Sequence, residues 1–280
     1  MERSIMSADV LEEGIVCTNK VLLADVGNSR TKLALLSGVS QGMPLLESRY
    51  DIDSRNFNSE DFENWLMAAV SASATFFIAS VYDTAAAQLE TAISAVSATR
   101  HLRVQQQRVH FSDLPLEVKT EQPDRVGIDR LAAATAASRL VSPKKGCVVI
   151  DCGTAASIDM VSVDRQFLGG AILPGPALLA RSLADGTSLL PEVSSLGRGA
   201  APPMPGRSTN SAIAAGVGFG IRGAVCRLVD EARRDLGPEA EIFLTGGWRG
   251  VVRGEIPNAR EFPDLVLSGI GIAAMRISGL

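Results

Sequence analysis

One short pattern occurs twice in this chain and constrains its fold more than any other feature. Leu22-Leu23-Ala24-Asp25-Val26-Gly27-Asn28-Ser29 lines up with Val149-Ile150-Asp151-Cys152-Gly153-Thr154-Ala155, about 126 positions later. Each copy is an apolar strand-sized run, an Asp, any residue, a Gly and small polar residues, followed by a second strand. The interval is domain-sized, far beyond the period of a solenoid repeat. It implies two similar α/β domains facing each other, each presenting one such turn to a shared cleft, where ligands preferentially bind.

The elements around each copy agree with this reading. Val21–Asp25 and Lys32–Leu36 flank the turn Val26-Gly27-Asn28-Ser29 and predict a hairpin. Asn58–Val70 predicts a helix: Asn58 or Ser59 caps it, Glu60 and Asp61 suit its first turn, and Phe62, Trp65, Leu66, Ala69 and Val70 share a face. Thr75–Val81 reads as a buried strand and Thr84–Val96 as a helix with Leu89, Ile93 and Val96 inward. After Pro115 and Pro123 the pattern restarts with an Ala-rich helix over Ile128–Leu140, the strand Cys147–Asp151 and a second strand around Ser157–Val163. Leu196–Arg207, rich in Gly and Pro, reads as a loop, Thr209–Ala232 has long-helix spacing, and Ile242–Leu244 is a strand ending in Thr245-Gly246-Gly247. The expected division is an extension over 1–20, a first domain over 21–118 and a second over 119–280.

A turn that sets Gly beside small hydroxyl and amide side chains lets backbone N–H groups approach phosphate oxygens, and an Asp at the strand end can hold a hydrated magnesium ion against them. In the first copy Asn28, Ser29 and Thr31 add donors and Lys32 a point charge; the plain alternative is an ordinary hairpin with a polar turn. The segment is not a Walker A loop, because no second Gly precedes Lys32 and no helix follows directly. The formal GxGxxG at Gly218, Gly220 and Gly223 lies within a helical pattern with no strand before it, so those glycines read as helix-packing positions. Gly127-Ile128-Asp129-Arg130 opens the Ala-rich helix. Asp129 there either caps the helix or takes a proton from a substrate hydroxyl, and Arg130 is either solvated or grips an anionic group.

Bulk properties close off other classes. A 46% hydrophobic, 21% charged chain of 280 residues can bury a sizeable core and is not a disordered one. Net charge −4 without a basic run argues against a nucleic-acid partner, and no apolar run of membrane length stands out, which argues against a membrane partner. Met1–Lys20 lacks a signal-peptide core, which predicts a poorly ordered extension and a cytoplasmic protein. Cys17, Cys147, Cys152 and Cys226, with only His101 and His110, fit neither a disulfide framework nor zinc spacing nor a Cys-His nucleophile pair and read as buried free thiols.

Taken together, Asp25–Lys32 (DVGNSRTK), Gly127–Arg130 (GIDR), Asp151–Ala155 (DCGTA), Gly169–Gly175 (GGAILPG), Ser208–Gly216 (STNSAIAAG) and Thr245–Gly247 (TGG) occur in the order seen in type III pantothenate kinases. Pro263-Asp264-Leu265 and Ser268-Gly269-Ile270 resemble that family's C-terminal segment. The resemblance implies a duplicated actin-like (ribonuclease H-like) α/β fold with a ligand cleft between the domains. It implies ATP-dependent phosphorylation of pantothenate on its primary hydroxyl, the first step towards coenzyme A. On that resemblance Asp25, Val26, Gly27, Asn28, Ser29, Arg30, Thr31 and Lys32 form the ATP phosphate loop, Thr154 contacts ATP and Asp129 is the general base. Gly127, Ile128, Asp129 and Arg130 line the pantothenate site, with Arg130 a partner for its carboxylate, and Thr209 contacts substrate. The resemblance further implies that Asp151 binds a monovalent cation, potassium or ammonium, that Mg2+ accompanies ATP, and that the protein is a homodimer. One departure is Thr120, where the family usually places a substrate-contacting Tyr; Tyr82 is one replacement. The alternatives are a non-catalytic regulatory relative of the same fold and a sugar or acetate kinase of the superfamily.

Overall fold

The computed structural model describes residues 19–194 and 196–279; Cys17 and nearly all of the predicted N-terminal extension lie outside them. Strand β1 (Lys20–Val26) is buried along six of its seven residues, as a central strand must be. It pairs antiparallel with β2 (Arg30–Ser40), β2 pairs antiparallel with β3 (Met43–Asp53), and β1 pairs parallel with β4 (Ser73–Ser80). Strand β5 (Arg103–Arg108) adds parallel to β4, giving the order β3-β2-β1-β4-β5. Helices α1 (Ser59–Ala69) and α2 (Asp83–Thr99) lie between these strands in sequence. Asn58 caps α1 through its side-chain oxygen, which accepts from the N–H groups of Glu60 and Asp61. Phe62 and Leu66 of α1, with Leu89 and Ile93 of α2, then fill a core against Leu22, Leu33 and Phe76 of the sheet.

The second half repeats this plan. After the short β6 (Glu117–Val118) and α3 (Ile128–Leu140) come β7 (Cys147–Cys152), β8 (Ala155–Val161) and β9 (Gln166–Pro174), an antiparallel meander. Helices α4 (Pro176–Asp185) and α5 (Thr209–Leu236) follow. Strands β10 (Glu241–Thr245) and β11 (Arg260–Glu261) then join in parallel, and α6 (Leu265–Ser278) ends the described chain. The order β11-β10-β7-β8-β9 matches β5-β4-β1-β2-β3 in both sequence and strand direction, so the twofold motif marks a twofold fold. β6 pairs with β9 and so extends the second sheet, while α6 crosses back to pack on β1 and β3 of the first.

A third core lies where the halves meet. Leu23 and Phe77 of the first sheet share it with Val149, Phe167 and Phe243 of the second, and α3 and α6 fill the space between. α3 is buried from Leu131 through Ser138, which explains its run of alanines: small side chains let helix and sheets close up on every side. Gly269 of α6 packs directly on α3, where a Cβ would lie only 1.9 Å from the Ala132 carbonyl oxygen.

The predicted elements form with shifted ends, and five strands (β3, β5, β6, β9 and β11) and two helices (α4 and α6) were missed. β3 and β5 are largely exposed edges, and β9 is interrupted by glycines, so none has the clean apolar alternation that marks a strand. The glycines of GxGxxG do lie within α5, but only Gly218 packs closely, with a Cβ falling 2.7 Å from the Pro202 ring; Gly220 and Gly223 face open space. The membrane-length expectation needs correction as well. α5 has 28 residues and contains a stretch of mean hydropathy 1.5, long and apolar enough to cross a membrane. Its Ile221, Val225 and Val229 instead pack on the second sheet with Val148 and Ile150.

Candidate active site

The two repeated turns meet across the cleft. In the first, the Gly27 N–H donates to the Arg30 carbonyl at 3.0 Å; in the second, the Gly153 N–H donates to the Ala155 carbonyl at 3.0 Å. The Ser29 and Thr154 hydroxyls, both exposed, lie 2.7 Å apart and bridge them. Asn28, Ser29 and Arg30 are exposed, whereas Val26 is buried in its strand and Thr31 is turned inward to the Ser54 hydroxyl at 3.0 Å.

Beneath the turns lie carboxylates that repel one another. Asp25, 8% exposed, is pushed up to about 7, first by burial, then by Asp129 and Asp151; Lys32, at 4.0 Å, opposes the shift. Asp151 is pushed up to about 6 by burial first, with Lys32 opposing and Asp129 and Asp159 adding to it. Asp129, in the first turn of α3, is also raised by burial, opposed by its neighbour Arg130. Its Oδ1 accepts from the Arg130 N–H at 2.8 Å, and the side chain folds so close that a Cβ on Gly127 would lie 2.6 Å from it. Ile128 packs against the central core.

Arg130 is held in place. Its Nε donates to both oxygens of Asp159, at 2.9 and 3.2 Å, and Nη2 to Oδ1, while the guanidinium lies 5.6 Å from the Phe167 ring centroid. The Ser157 hydroxyl donates to Asp159 at 2.9 Å. Sequence reading did not single out Asp159 or Ser157. The available signal was an acid in an otherwise buried apolar strand, which demands a partner.

Two further residues stand differently. Thr209 is exposed in the first turn of α5, capped by Ser208, and no hydrogen bond joins it to the cleft acids among the described residues. The Thr120 hydroxyl is buried without a hydrogen-bond partner, beside Gly169, while Tyr82 packs on the first-domain core. A hollow of about 720 Å3 between α1 and α2, bordered by Phe57 and Ala92, lies apart from these acids. A second, of about 480 Å3, is lined by Arg198, Gly247, Arg249 and Arg253 beside the TGG segment.

Among the described residues no group of three or more His, Cys, Asp or Glu forms a metal cage. The donors that do face the cleft are carboxylate oxygens short of positive charge, with Lys32 the cation nearest Asp25. That set fits hard cations that keep waters and lean on one or two carboxylates plus phosphate oxygens.

The doubled sheet and its facing turns define a member of the actin-like α/β class. A Sinorhizobium meliloti protein described as a 2-dehydro-3-deoxygalactonokinase superposes over 93% of this chain and all of its own at 14% identity, TM-score 0.54. A conserved Campylobacter jejuni protein assigned to the Baf family of transcriptional activators covers 92% of this chain and all of its own at 19% identity, TM-score 0.55. Residues 21–231 match the model of the type III pantothenate kinase family. An Alkalilimnicola ehrlichii member is 34% identical over 255 residues, 89% of this chain and 95% of the relative. A Halorhodospira halophila member is 42% identical over 151 residues, 54% of this chain, and a Pseudomonas aeruginosa member 41% over 150; the matched stretch spans 57% and 60% of their lengths. The chain belongs to the type III pantothenate kinase family.

Proposed function

We propose that the protein transfers the γ-phosphoryl group of ATP to the primary hydroxyl of pantothenate, giving 4'-phosphopantothenate at the start of coenzyme A synthesis. Family membership supports the substrate pair, and one observation carries the chemistry: two phosphate-type turns meet over Asp25, Asp129 and Asp151. Residues 21–118 bring the first turn, and 119–280 bring the base, the second turn and the substrate side. The turn from Gly27 to Arg30, with Asp25 and Lys32 beside it, cradles the phosphates, while Val26 and Thr31 support it from behind, and Thr154 closes on the phosphates from the opposite turn. Gly127, Ile128, Arg130 and Thr209 border pantothenate, Arg130 reaching for its carboxylate.

Phosphoryl transfer asks mainly for positioning and charge neutralisation. Asp129 accepts the hydroxyl proton late in the transfer, and burial, by raising its basicity, suits it to that task. Asp25 would hold Mg2+ through its waters and Asp151 a monovalent cation, potassium or ammonium; bound there, these ions neutralise phosphate charge. We further propose a cytoplasmic homodimer without nucleic-acid or membrane partners. Net charge −4 supports the first exclusion, and exposed Ile172, Leu189 and Phe219 support self-association.

The test is ADP release from ATP, Mg2+ and pantothenate, with and without potassium or ammonium, beside sedimentation of the same preparation. Pantothenate-dependent, cation-stimulated turnover is expected. A folded protein that binds ATP and turns over nothing would instead be a regulatory relative, and turnover only with hexoses or acetate a kinase of another specificity.

A further inference from the structure

Arg130 has two candidate tasks and one observed partner. Its guanidinium is side-on to Asp159, spending Nε and Nη2, while Nη1 has no hydrogen-bond partner among the described residues. The Arg130 side chain is 17% exposed and that of Asp159 only 1%. The anchored edge lies against a buried carboxylate, and the free edge is the one still able to take a ligand.

Asp159 is itself fixed on every side. It sits in β8 opposite Gly170 of β9, where any Cβ would fall 2.9 Å from the Asp159 Oδ1 and 2.0 Å from the Ile158 carbonyl oxygen. Ser157, two residues earlier on the same strand face, donates to Oδ2. Phe167 lies beneath the guanidinium and limits its tilt. A planar fork on a buried, hydrogen-bonded carboxylate is a geometry that lysine could not reproduce.

We infer that Asp159, held by Ser157 and Gly170, is a positioning residue: it fixes Arg130 and presents the free guanidinium edge to the carboxylate of the acceptor substrate. This rests on the pantothenate reading above.

The experiment compares pantothenate with pantothenol, which has a hydroxymethyl group in place of the carboxylate, in wild type, Asp159→Asn and Ser157→Ala. Asp159→Asn should raise KM for pantothenate about 10- to 100-fold while kcat stays within about threefold, because ground-state grip is what is lost. KM for pantothenol should change little, so the preference for the acid collapses. Ser157→Ala, which keeps the charge pair, should shift the same preference by about two- to fivefold; it decides the matter should Asp159→Asn not fold. An unchanged or lowered KM for pantothenate would overturn the inference, since Asp159 would then merely compete for Arg130. Equal losses with both substrates would also overturn it, marking a purely structural role. If the wild type itself ignores both substrates, the pantothenate reading fails first and this inference falls with it.

Discussion

The two repeated turns carry the same pattern but live in different surroundings. The first, after Asp25, is an open hand: Asn28, Ser29 and Arg30 are exposed, and a Cβ on Gly27 would meet only the Arg30 carbonyl of its own turn, at 3.1 Å. The second, after Asp151, is boxed in by other elements. Gly246, following β10, lies where a Cβ would be 2.4 Å from both the Asp151 Oδ1 and the Cys152 carbonyl, and Gly175 presses on the Gly153 and Thr154 carbonyls. Asp25 has Lys32 at 4.0 Å, with the two residues paired across the hairpin, whereas the cross-strand partner of Asp151 is the neutral Ser157. The twofold motif thus has one turn open to solvent and one packed in by its scaffold.

If both turns hold phosphate and neither does chemistry, the largest effect on rate should come from a residue in neither. Asp129→Asn is expected to lower kcat by roughly two to four powers of ten, the usual worth of a general base. ATP affinity, measured by calorimetry, should stay near wild type. Near-normal turnover would remove Asp129 from that role, and lost ATP binding would mean that it supports a turn.

The boxed-in turn should be the fragile one. Gly246 has φ +89°, a region that L side chains avoid, besides its contact with Asp151. Gly246→Ala should cost about 2–4 kcal/mol of stability by the combined strain and clash. Gly27→Ala, which meets one carbonyl at 3.1 Å, should cost about 1 kcal/mol or less. Chemical denaturation of the two variants measures the contrast, and equal losses would end it.

The contrast between the turns was only partly legible in the sequence. Both hairpins were, because a buried strand ending in Asp and Gly is a local signal, and so was α3, whose alanines announce close packing. The neighbours that distinguish the turns were not. Gly246 and Gly175 reach the second turn from strands and loops far along the chain, and no local pattern records a tertiary approach. Asp159 was missed for the same reason: its partner is 29 residues away on another element. Thr31 shows the converse, a residue placed among phosphate donors by its position in the motif that the fold turns inward to Ser54.

The acids themselves should respond to charge differently. Asp151→Asn is expected to flatten the stimulation by potassium or ammonium, while Asp25→Asn, which leaves Asp151 intact, should raise the requirement for Mg2+ instead. A titration of rate against each cation reads both. An Asp151→Asn enzyme with the wild-type response to potassium would take Asp151 out of the cation site.

Raised carboxyls also set the sign of a pH effect in the ligand-free protein. Asp25 moves from 3.8 to about 7 on folding and Asp151 from 3.8 to about 6, so the native state holds protons that the unfolded chain has released. Their contribution is full below about pH 4 and is lost as pH rises through about 6 and then 7. Stability should therefore slope downwards over that window. Asp25→Asn should flatten its upper part and Asp151→Asn its lower part. A stability that climbs from pH 5 to 7, unchanged by either substitution, would mean that these acids are not buried together.

The smallest effect is expected where the turns touch. The Ser29–Thr154 contact is exposed on both sides, so Thr154→Ala should cost no more than about 1 kcal/mol of stability. Its consequence should appear with nucleotide bound if, as proposed, the hydroxyl reaches from the packed turn to phosphates held by the exposed one. KM for ATP is expected to rise about three- to tenfold, the worth of one hydrogen bond to a charged group, with KM for pantothenate unchanged. Ser29→Ala should do less, because the exposed turn has Asn28 or a backbone N–H to offer in its place. If Ser29→Ala proves the more damaging of the two, the first turn is the rigid element and the roles assigned to the copies must be exchanged.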